Sequence, residues 1–148
     1  MHAPDTRLAA LAPVTRAFMQ RHGIPPDSIR LDGRLTVTID GRYAVDLLGA
    51  PYNRVALQSE LAALSDRPDF RCDAALLRLG SAGAGLLRRH AGTLCIDQKR
   101  QALMVQRLLP ASASVQALQD ALADFANSLA MWTQLCRAEA TALRGDKA

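Results

Sequence analysis

The chain has 148 residues and a formal net charge of +4, with 49% hydrophobic and 22% charged residues, a composition typical of a soluble globular domain that excludes wholesale disorder. No apolar run approaches the ~20 residues of a membrane-spanning helix, and the first residues lack the basic and apolar parts of a secretory signal. We therefore expect one domain over residues 1–148, located in the cytosol, with a frayed tail at residues 144–148.

The sequence pI of about 9.4 raises the question of a polyanionic partner. The basic residues, however, are scattered singly among acids, and the densest group is the short run Arg88-Arg89-His90. Aromatic residues, which stack on nucleic-acid bases, make up only 4% of the chain. The pattern favours a solvated surface with mild positive charge over a nucleic-acid interface.

The first periodic segment predicts a helix from about Asp5 to His22. Its apolar residues recur at the three-and-four spacing of one helical face, and Asp5 or Thr6 is able to cap its start. Gly23 is placed to end this helix in a left-handed conformation, and the two prolines that follow prevent its continuation.

From Arg34 the apolar period changes to two, which predicts a β-hairpin around Asp40-Gly41. A two-residue turn pairs Ile39 with Arg42, whereas matching the apolar faces pairs Ile39 with Tyr43 through a longer turn or a bulge, and the register stays open. A third strand follows through Val55 to Leu61, although the segment from Glu60 also fits the start of a helix.

The second half of the chain predicts a helix, a hairpin and a final helix. The short helix runs from Phe70 to Leu79 and precedes a glycine-rich stretch; the hairpin turns at residues 97–100 and is closed by Pro110. Ser112 or Ser114 caps the final helix. Its apolar residues step strictly by three and four: Val115, Leu118, Leu122, Phe125, Leu129, Trp132 and Cys136.

The predicted order is therefore α-β-β-β-α-β-β-α, which defines an α+β domain. Because hairpins make most of the connections, the sheet should be mostly antiparallel and twisted, with helices packed on it. Such a sheet leaves a face or an edge on which a partner or a second copy is able to pack.

No set of residues predicts catalysis, a metal site or a cofactor. The three cysteines, Cys72, Cys95 and Cys136, lack a nearby base and suit reduced, packed thiols. His90 and Cys95 lack the further ligands of a zinc site, and the glycines of residues 80–85 lack the lysine and strand-to-helix context of a phosphate loop. The prediction is a binding protein that is not an enzyme.

The order of the predicted elements and three motifs, taken with their spacing, resemble the class I type III secretion chaperones, also called the Tir-chaperone family. The motifs are Leu76-Leu77-Arg78-Leu79-Gly80 ending the second helix, Gly92-Thr93-Leu94-Cys95-Ile96 opening the second hairpin, and Asp124-Phe125-Ala126 through Trp132 in the last helix. The resemblance spans nearly the whole chain. It implies a homodimer in the bacterial cytoplasm that keeps the N-terminal region of a secreted effector extended and non-globular, with no nucleotide involved.

The resemblance also implies which residues act. We expect a groove for the effector at Leu11, Phe18 and Met19 of the first helix together with Met104, Gln106 and Leu108 of the last strand. We place the dimer contacts on Leu76, Leu77 and Leu79. Members of that family are typically acidic, so the basic pI implies an effector segment of more acidic character. The alternatives are a protein-binding regulator of the YbjN type and a basic nucleic-acid-binding regulator.

Overall fold

A computed structural model describes residues 11–63, 93–97 and 99–145, and it confirms the α+β class. The elements are helix α1 (Pro13–His22), a 3-10 turn (Pro26–Ser28), strands β1 (Leu35–Ile39), β2 (Tyr43–Ala50), β3 (Arg54–Ala63), β4 (Thr93–Asp97) and β5 (Ala102–Pro110), and helix α2 (Val115–Gly145). The observed order matches the predicted one in these ranges. The predicted helix at Phe70 to Leu79 lies outside the described residues.

Helix α1 begins later than predicted. Ala12 is extended, with φ −61° and ψ 148°, and Pro13 is the first helical residue. Proline disfavours the helical conformation in the residue before it and fits the first turn, where its missing N–H has no intrahelical acceptor. The expectation of helix at Leu11 and Ala12 is therefore wrong, and Asp5 and the other residues before Leu11 lie outside the described part.

The end of α1 confirms the role predicted for Gly23. This glycine has φ 64° and ψ 31°, and its N–H donates to the carbonyl of Gln20. The N–H of Ile24 donates to Met19 O at 2.9 Å, so two carbonyls of the last turn gain donors. Glycine adopts this left-handed conformation most readily because it has no Cβ.

The first hairpin adopts the register that matches its apolar faces. Ile39 pairs with Tyr43, and the three-residue loop between them is closed by the N–H of Arg42 donating to Ile39 O at 3.0 Å. Asp40 and Gly41 have φ 55° and 64°, which is the conformation that Asp and Gly tolerate in turns. The hairpin therefore has the longer turn and not the two-residue turn that pairs Ile39 with Arg42.

Strand β3 extends to Ala63, so the alternative helix from Glu60 is wrong as far as that residue. The five strands lie in the order β1-β2-β3-β5-β4, and the pairs β1 with β2, β2 with β3 and β4 with β5 are antiparallel. The N–H of Ala111, just after β5, donates to the carbonyl of Asn53, just before β3. The end of β5 therefore lies beside the start of β3, which makes this pair antiparallel as well.

The chain divides into two compact units, Met1–Gln58 with Arg107–Ala123 and Ser59–Gln106 with Asp124–Ala148. In the first unit, alternate residues of β1 to β3 are buried on one face of the sheet, namely Leu35, Val45, Leu47, Val55 and Leu57. In the second unit, the buried apolar residues include Leu103, Val105, Phe125, Leu129 and Trp132. The single domain over residues 1–148 stays a prediction.

Helix α2 confirms the most regular pattern of the sequence. Ser114 is the capping residue, because its Oγ accepts the N–H of Ala117 at 3.0 Å. Six of the seven predicted apolar positions are buried and Val115 is half-buried. The helix continues to Gly145, residues 146–148 lie outside the described part, and the frayed tail stays a prediction.

Candidate functional site

The three groove residues predicted around α1 belong to the first unit and are already covered by the chain itself. Leu11, Phe18 and Met19 keep 8%, 7% and 2% of their surface exposed. The Phe18 ring lies 4.5 Å from the ring of His22, and Gln119 Nε2 of α2 lies 2.6 Å from His22 Nε2. The end of helix α1 therefore lies near α2, with Val14, Phe18 and Met19 buried and Gln20, Arg21 and His22 exposed.

The three predicted residues of β5 differ in exposure. Met104 is 2% exposed, whereas Gln106 and Leu108 are half-buried. Met104 pairs with Cys95 and Gln106 with Thr93 in the second unit, and Leu108 belongs to the first unit. Of the six predicted groove residues, only Gln106 and Leu108 offer substantial surface to a partner in the single chain.

The predicted dimer contacts at Leu76, Leu77 and Leu79 lie outside the described residues. They stay predictions.

The two ends of the sheet offer backbone groups to an added strand. Among the strands that the structure describes, β1 and β4 have a neighbour on one side only. A bridge between Ile29 and Leu35 covers the start of β1, and the remainder of that edge extends from Thr36 to Ile39. An edge strand presents unpaired N–H and C=O groups, which is the geometry that binds an extended peptide.

Three large apolar or aromatic residues are exposed in the described chain, and sequence reasoning gave none of them a role. Leu31 is 91% exposed, Tyr52 90% and Ile96 45%. Tyr52 and Asn53 form the β2–β3 turn with φ 64° and 55°. The proline before Tyr52 and the asparagine after it are a turn signal that marks an exposed loop tip.

A polar group sits between β1 and β2. The hydroxyl of Thr36 donates to Asp46 Oδ1 at 2.6 Å, and Arg34 NH1 lies 3.4 Å from Asp46 Oδ2. Asp32 also contacts Arg34, at 3.4 Å from its Nε. The nearly buried carboxylate of Asp46, 9% exposed, is therefore neutralised within the chain.

Two other arginines stack on the two tyrosines of the chain. The guanidinium carbon of Arg42 lies 5.6 Å from the centre of the Tyr43 ring, and that of Arg54 lies 5.6 Å from the centre of the Tyr52 ring. Arg54 Nε also donates to Pro51 O at 2.9 Å. Stacking and the hydrogen bond restrict these side chains while leaving guanidinium N–H groups available to an anion.

Two observations on the described residues concern thiol chemistry and metal binding. Burial, followed by the negative charge of Asp97, raises the pKa of the Cys95 thiol, which makes it a weaker nucleophile at neutral pH. No group of three His, Cys, Asp or Glu side chains within the described ranges is arranged to hold a metal ion. In the same ranges, no helix is long and apolar enough to cross a membrane.

Comparison with protein families gives a match over most of the chain. The family model described as the Tir chaperone protein (CesT) family matches residues 15–133, which is most of the chain. No curated protein matches the chain.

Solved structures share the fold at low sequence identity. The ExsC–ExsE complex matches with 17% identity and a TM-score of 0.59 over 91% of this chain and 96% of that one. The HopA1–SchA chaperone–effector complex matches with 19% identity and a TM-score of 0.58 over 87% and 96%. The Yersinia pestis type III secretion chaperone SycH, solved with a fragment of YscM2, matches with 14% identity and a TM-score of 0.53 over 82% and 98%.

Proposed function

Because the chain belongs to the Tir chaperone protein (CesT) family, we propose that it is a cytoplasmic chaperone that binds the N-terminal segment of a type III secretion effector. In this role it keeps the segment extended and non-globular until the secretion apparatus takes it. The family match over residues 15–133 carries the proposal. The three similar structures contain complexes, one of them described as a chaperone–effector complex, and they support the same function.

The geometry of the described residues suits the binding of an extended chain. Strands β1 and β4 lie at the two ends of the sheet order and are able to pair with an added strand. Backbone pairing supplies affinity with little demand on sequence, and apolar side chains of the bound segment add specificity. Ile96 on β4 is 45% exposed beside such an edge.

The groove residues remain part of the proposal, with different contributions. Gln106 and Leu108 have surface available for direct contact, whereas Leu11, Phe18, Met19 and Met104 are covered in the single chain. These four buried residues would contribute to binding by stabilising the surrounding fold, unless effector binding exposes their side chains. The homodimer, with contacts at Leu76, Leu77 and Leu79, belongs to the proposal as well, as does the absence of enzymatic activity.

The proposal is tested by purifying the tagged chain from its native host and identifying what it holds by mass spectrometry. We expect a protein that contacts the chaperone through its N-terminal part. The isolated segment should then bind the purified chain. In limited proteolysis without denaturant, the bound segment should be protected only where the chaperone covers it. Binding should carry a negative heat-capacity change, because an extended segment must bury much apolar surface.

Two results would contradict the proposal. One is a bound segment that is a folded domain with the same protease resistance when free. The other is complete secretion of the identified effector from cells that lack the chaperone. A segment from the C-terminal half of the same effector provides the matched control and should not bind.

A further inference from the structure

The turn between β2 and β3 holds the side chain of Arg54 against the exposed ring of Tyr52, and we call this pair the turn clamp. The Nε–H of Arg54 donates to Pro51 O at 2.9 Å, and the guanidinium carbon lies 5.6 Å from the centre of the Tyr52 ring. Within the described ranges no acidic side chain pairs with Arg54, whereas Arg34 is engaged by two aspartates. The clamp therefore presents a restrained guanidinium whose terminal N–H groups are able to bind an anion.

Apolar residues begin beside the clamp on the same face of the sheet. Arg54 pairs with Ala50, and the next pair that faces the same side is Ala56 with Leu48. Because side chains alternate along a strand, Arg54 and Ala56 leave β3 on one face, whereas Val55 between them, 1% exposed, belongs to the other face. Arg54 and Ala56 lie about 6.6 Å apart along the strand, so the clamp and these apolar residues are neighbours.

Strand β5 adds a second leucine. The N–H of Ala111 donates to Asn53 O at 3.0 Å, and three residues further along each antiparallel strand are Leu108 and Ala56. Side by side on β2, β3 and β5 therefore lie Leu48, Ala56 and Leu108, which we call the apolar row. Ala56 in its middle is 2% exposed, but both leucines are half-buried and keep surface. Leu108 is also one of the groove residues predicted from the sequence, and the whole row lies in the first compact unit.

We propose that the turn clamp and the apolar row bind a motif of the effector segment in which an acidic and a large apolar residue alternate, as in Glu-Thr-Leu. This proposal rests on the proposed function and adds the chemistry of the partner. In an extended segment, the outer two residues of such a motif project from the same side about 6.6 Å apart, which matches the spacing of Arg54 and Ala56. The carboxylate accepts the guanidinium N–H groups of Arg54, and the apolar side chain packs on Leu48 and Leu108.

The two contacts contribute differently to binding. Burial of the apolar side chain against the row supplies most of the affinity, because an exposed ion pair alone contributes little. The guanidinium selects the acidic residue, and its restraint by Tyr52 lowers the entropy lost when the carboxylate binds. The net charge of +4 attracts an acidic segment as a whole. A protein segment is favoured over a nucleic acid, because a single arginine beside leucines does not match phosphates that repeat at every nucleotide.

The test uses the full chain and four synthetic peptides of about ten residues, rich in serine and threonine, which differ only at their centre. The first contains Glu-Thr-Leu, the second Gln-Thr-Leu, the third Glu-Thr-Ser and the fourth Glu-Thr-Thr-Leu, which directs its two end residues to opposite sides. Nuclear magnetic resonance follows the Nε–H signal of Arg54 in the isotope-labelled chain, and the loss of that signal in Arg54→Gln assigns it. The first peptide should shift the signal, and it should bind more tightly than the other three.

Three variants locate the binding site. Arg54→Gln should weaken binding of the first peptide by about threefold, because it removes an exposed charge pair. Leu48→Thr keeps a residue that suits a strand and should weaken binding by about fivefold, because it removes apolar surface from the row. Arg42→Gln is the matched control: Arg42 also stacks on a tyrosine, at the other end of β2, and its loss should weaken binding by less than about 1.5-fold. Circular dichroism checks that all variants keep the fold.

The inference is overturned if any of the other three peptides binds as tightly as the first. It is also overturned if Arg54→Gln and Arg42→Gln weaken binding equally, or if single-stranded DNA binds at the Arg54 signal more tightly than the first peptide. The identified effector separates this inference from the proposed function. A chaperone that holds its effector equally well with Arg54→Gln and Leu48→Thr keeps the function and loses the inference, whereas a chaperone that holds no effector loses the function.

Discussion

Truncation of Phe18 to alanine should destabilise the fold rather than act on effector binding alone. The side chain is 7% exposed in α1 and contacts the ring of His22. Removing a buried phenylalanine costs about 3–5 kcal/mol of unfolding free energy, and the partly open site beside exposed His22 places the expected loss near 3 kcal/mol. Domains of this kind have only about 5–15 kcal/mol in total, so Phe18→Asp should leave much of the protein unfolded.

Urea denaturation followed by circular dichroism measures this loss. With a slope of about 1.5 kcal/mol per molar urea, a 3 kcal/mol loss lowers the midpoint by about 2 M. The protomer concentration must be held fixed, because a dimer gains stability with concentration. Gln20→Ala is the matched control on the exposed side of the same helix and should change the free energy of unfolding by less than about 0.5 kcal/mol.

A small effect of Phe18→Ala would refute this reasoning. If the midpoint moves by less than about 0.5 M while effector binding weakens at least tenfold, the ring does not support the core of the chaperone. Phe18 then lies in the effector groove, as the sequence predicts, and α1 shifts to expose it.

The other predictions concern the dimer, a helix cap and a thiol. Light scattering at micromolar concentration should give twice the 15.9 kDa chain mass, and Leu77→Glu should return it to the single-chain mass; a dimer that survives places the interface elsewhere. Ser114→Ala should lower the unfolding free energy by about 1 kcal/mol, and an unchanged urea midpoint would show that the cap contributes nothing. Because Asp97 helps raise the pKa of Cys95, Asp97→Asn should speed alkylation of that thiol at pH 8; an unchanged rate contradicts the electrostatic part.

The parts of the fold predicted correctly depend on local rules. The left-handed Gly23, the capping Ser114 and the apolar stripe of α2 follow from the requirements of helix ends and helix faces within a few residues. The register of the first hairpin stayed open between two pairings; the observed pairing of Ile39 with Tyr43 is the one that matches the apolar faces, because a shift by one residue would expose every buried side chain. The start of α1 was predicted too early, although Pro13 is a residue type typical of the first turn of a helix.

The candidate site was harder to predict because exposure depends on distant parts of the chain. Phe18 and Met104 are apolar residue types that a binding groove is expected to contain, yet packing within the chain buries both side chains. Leu31 and Tyr52 are about 90% exposed in loops where periodicity gives no information. An apolar residue on an amphipathic element is assigned to the core or to a partner only when the surrounding elements are placed.

The β2–β3 turn combines backbone strain with an exposed aromatic ring. Tyr52 has φ 64°, a conformation that costs a residue with a Cβ about 1 kcal/mol and that glycine or asparagine adopts more readily. Its ring is 90% exposed, so burial does not offset this cost. The ring's one described contact of note is the guanidinium of Arg54 at 5.6 Å. Local rules that a sequence breaks without a packing gain tend to mark functional positions. A tyrosine that fixes an arginine at an exposed loop tip provides such a function, and Tyr52→Gly should relax the turn while releasing the side chain of Arg54.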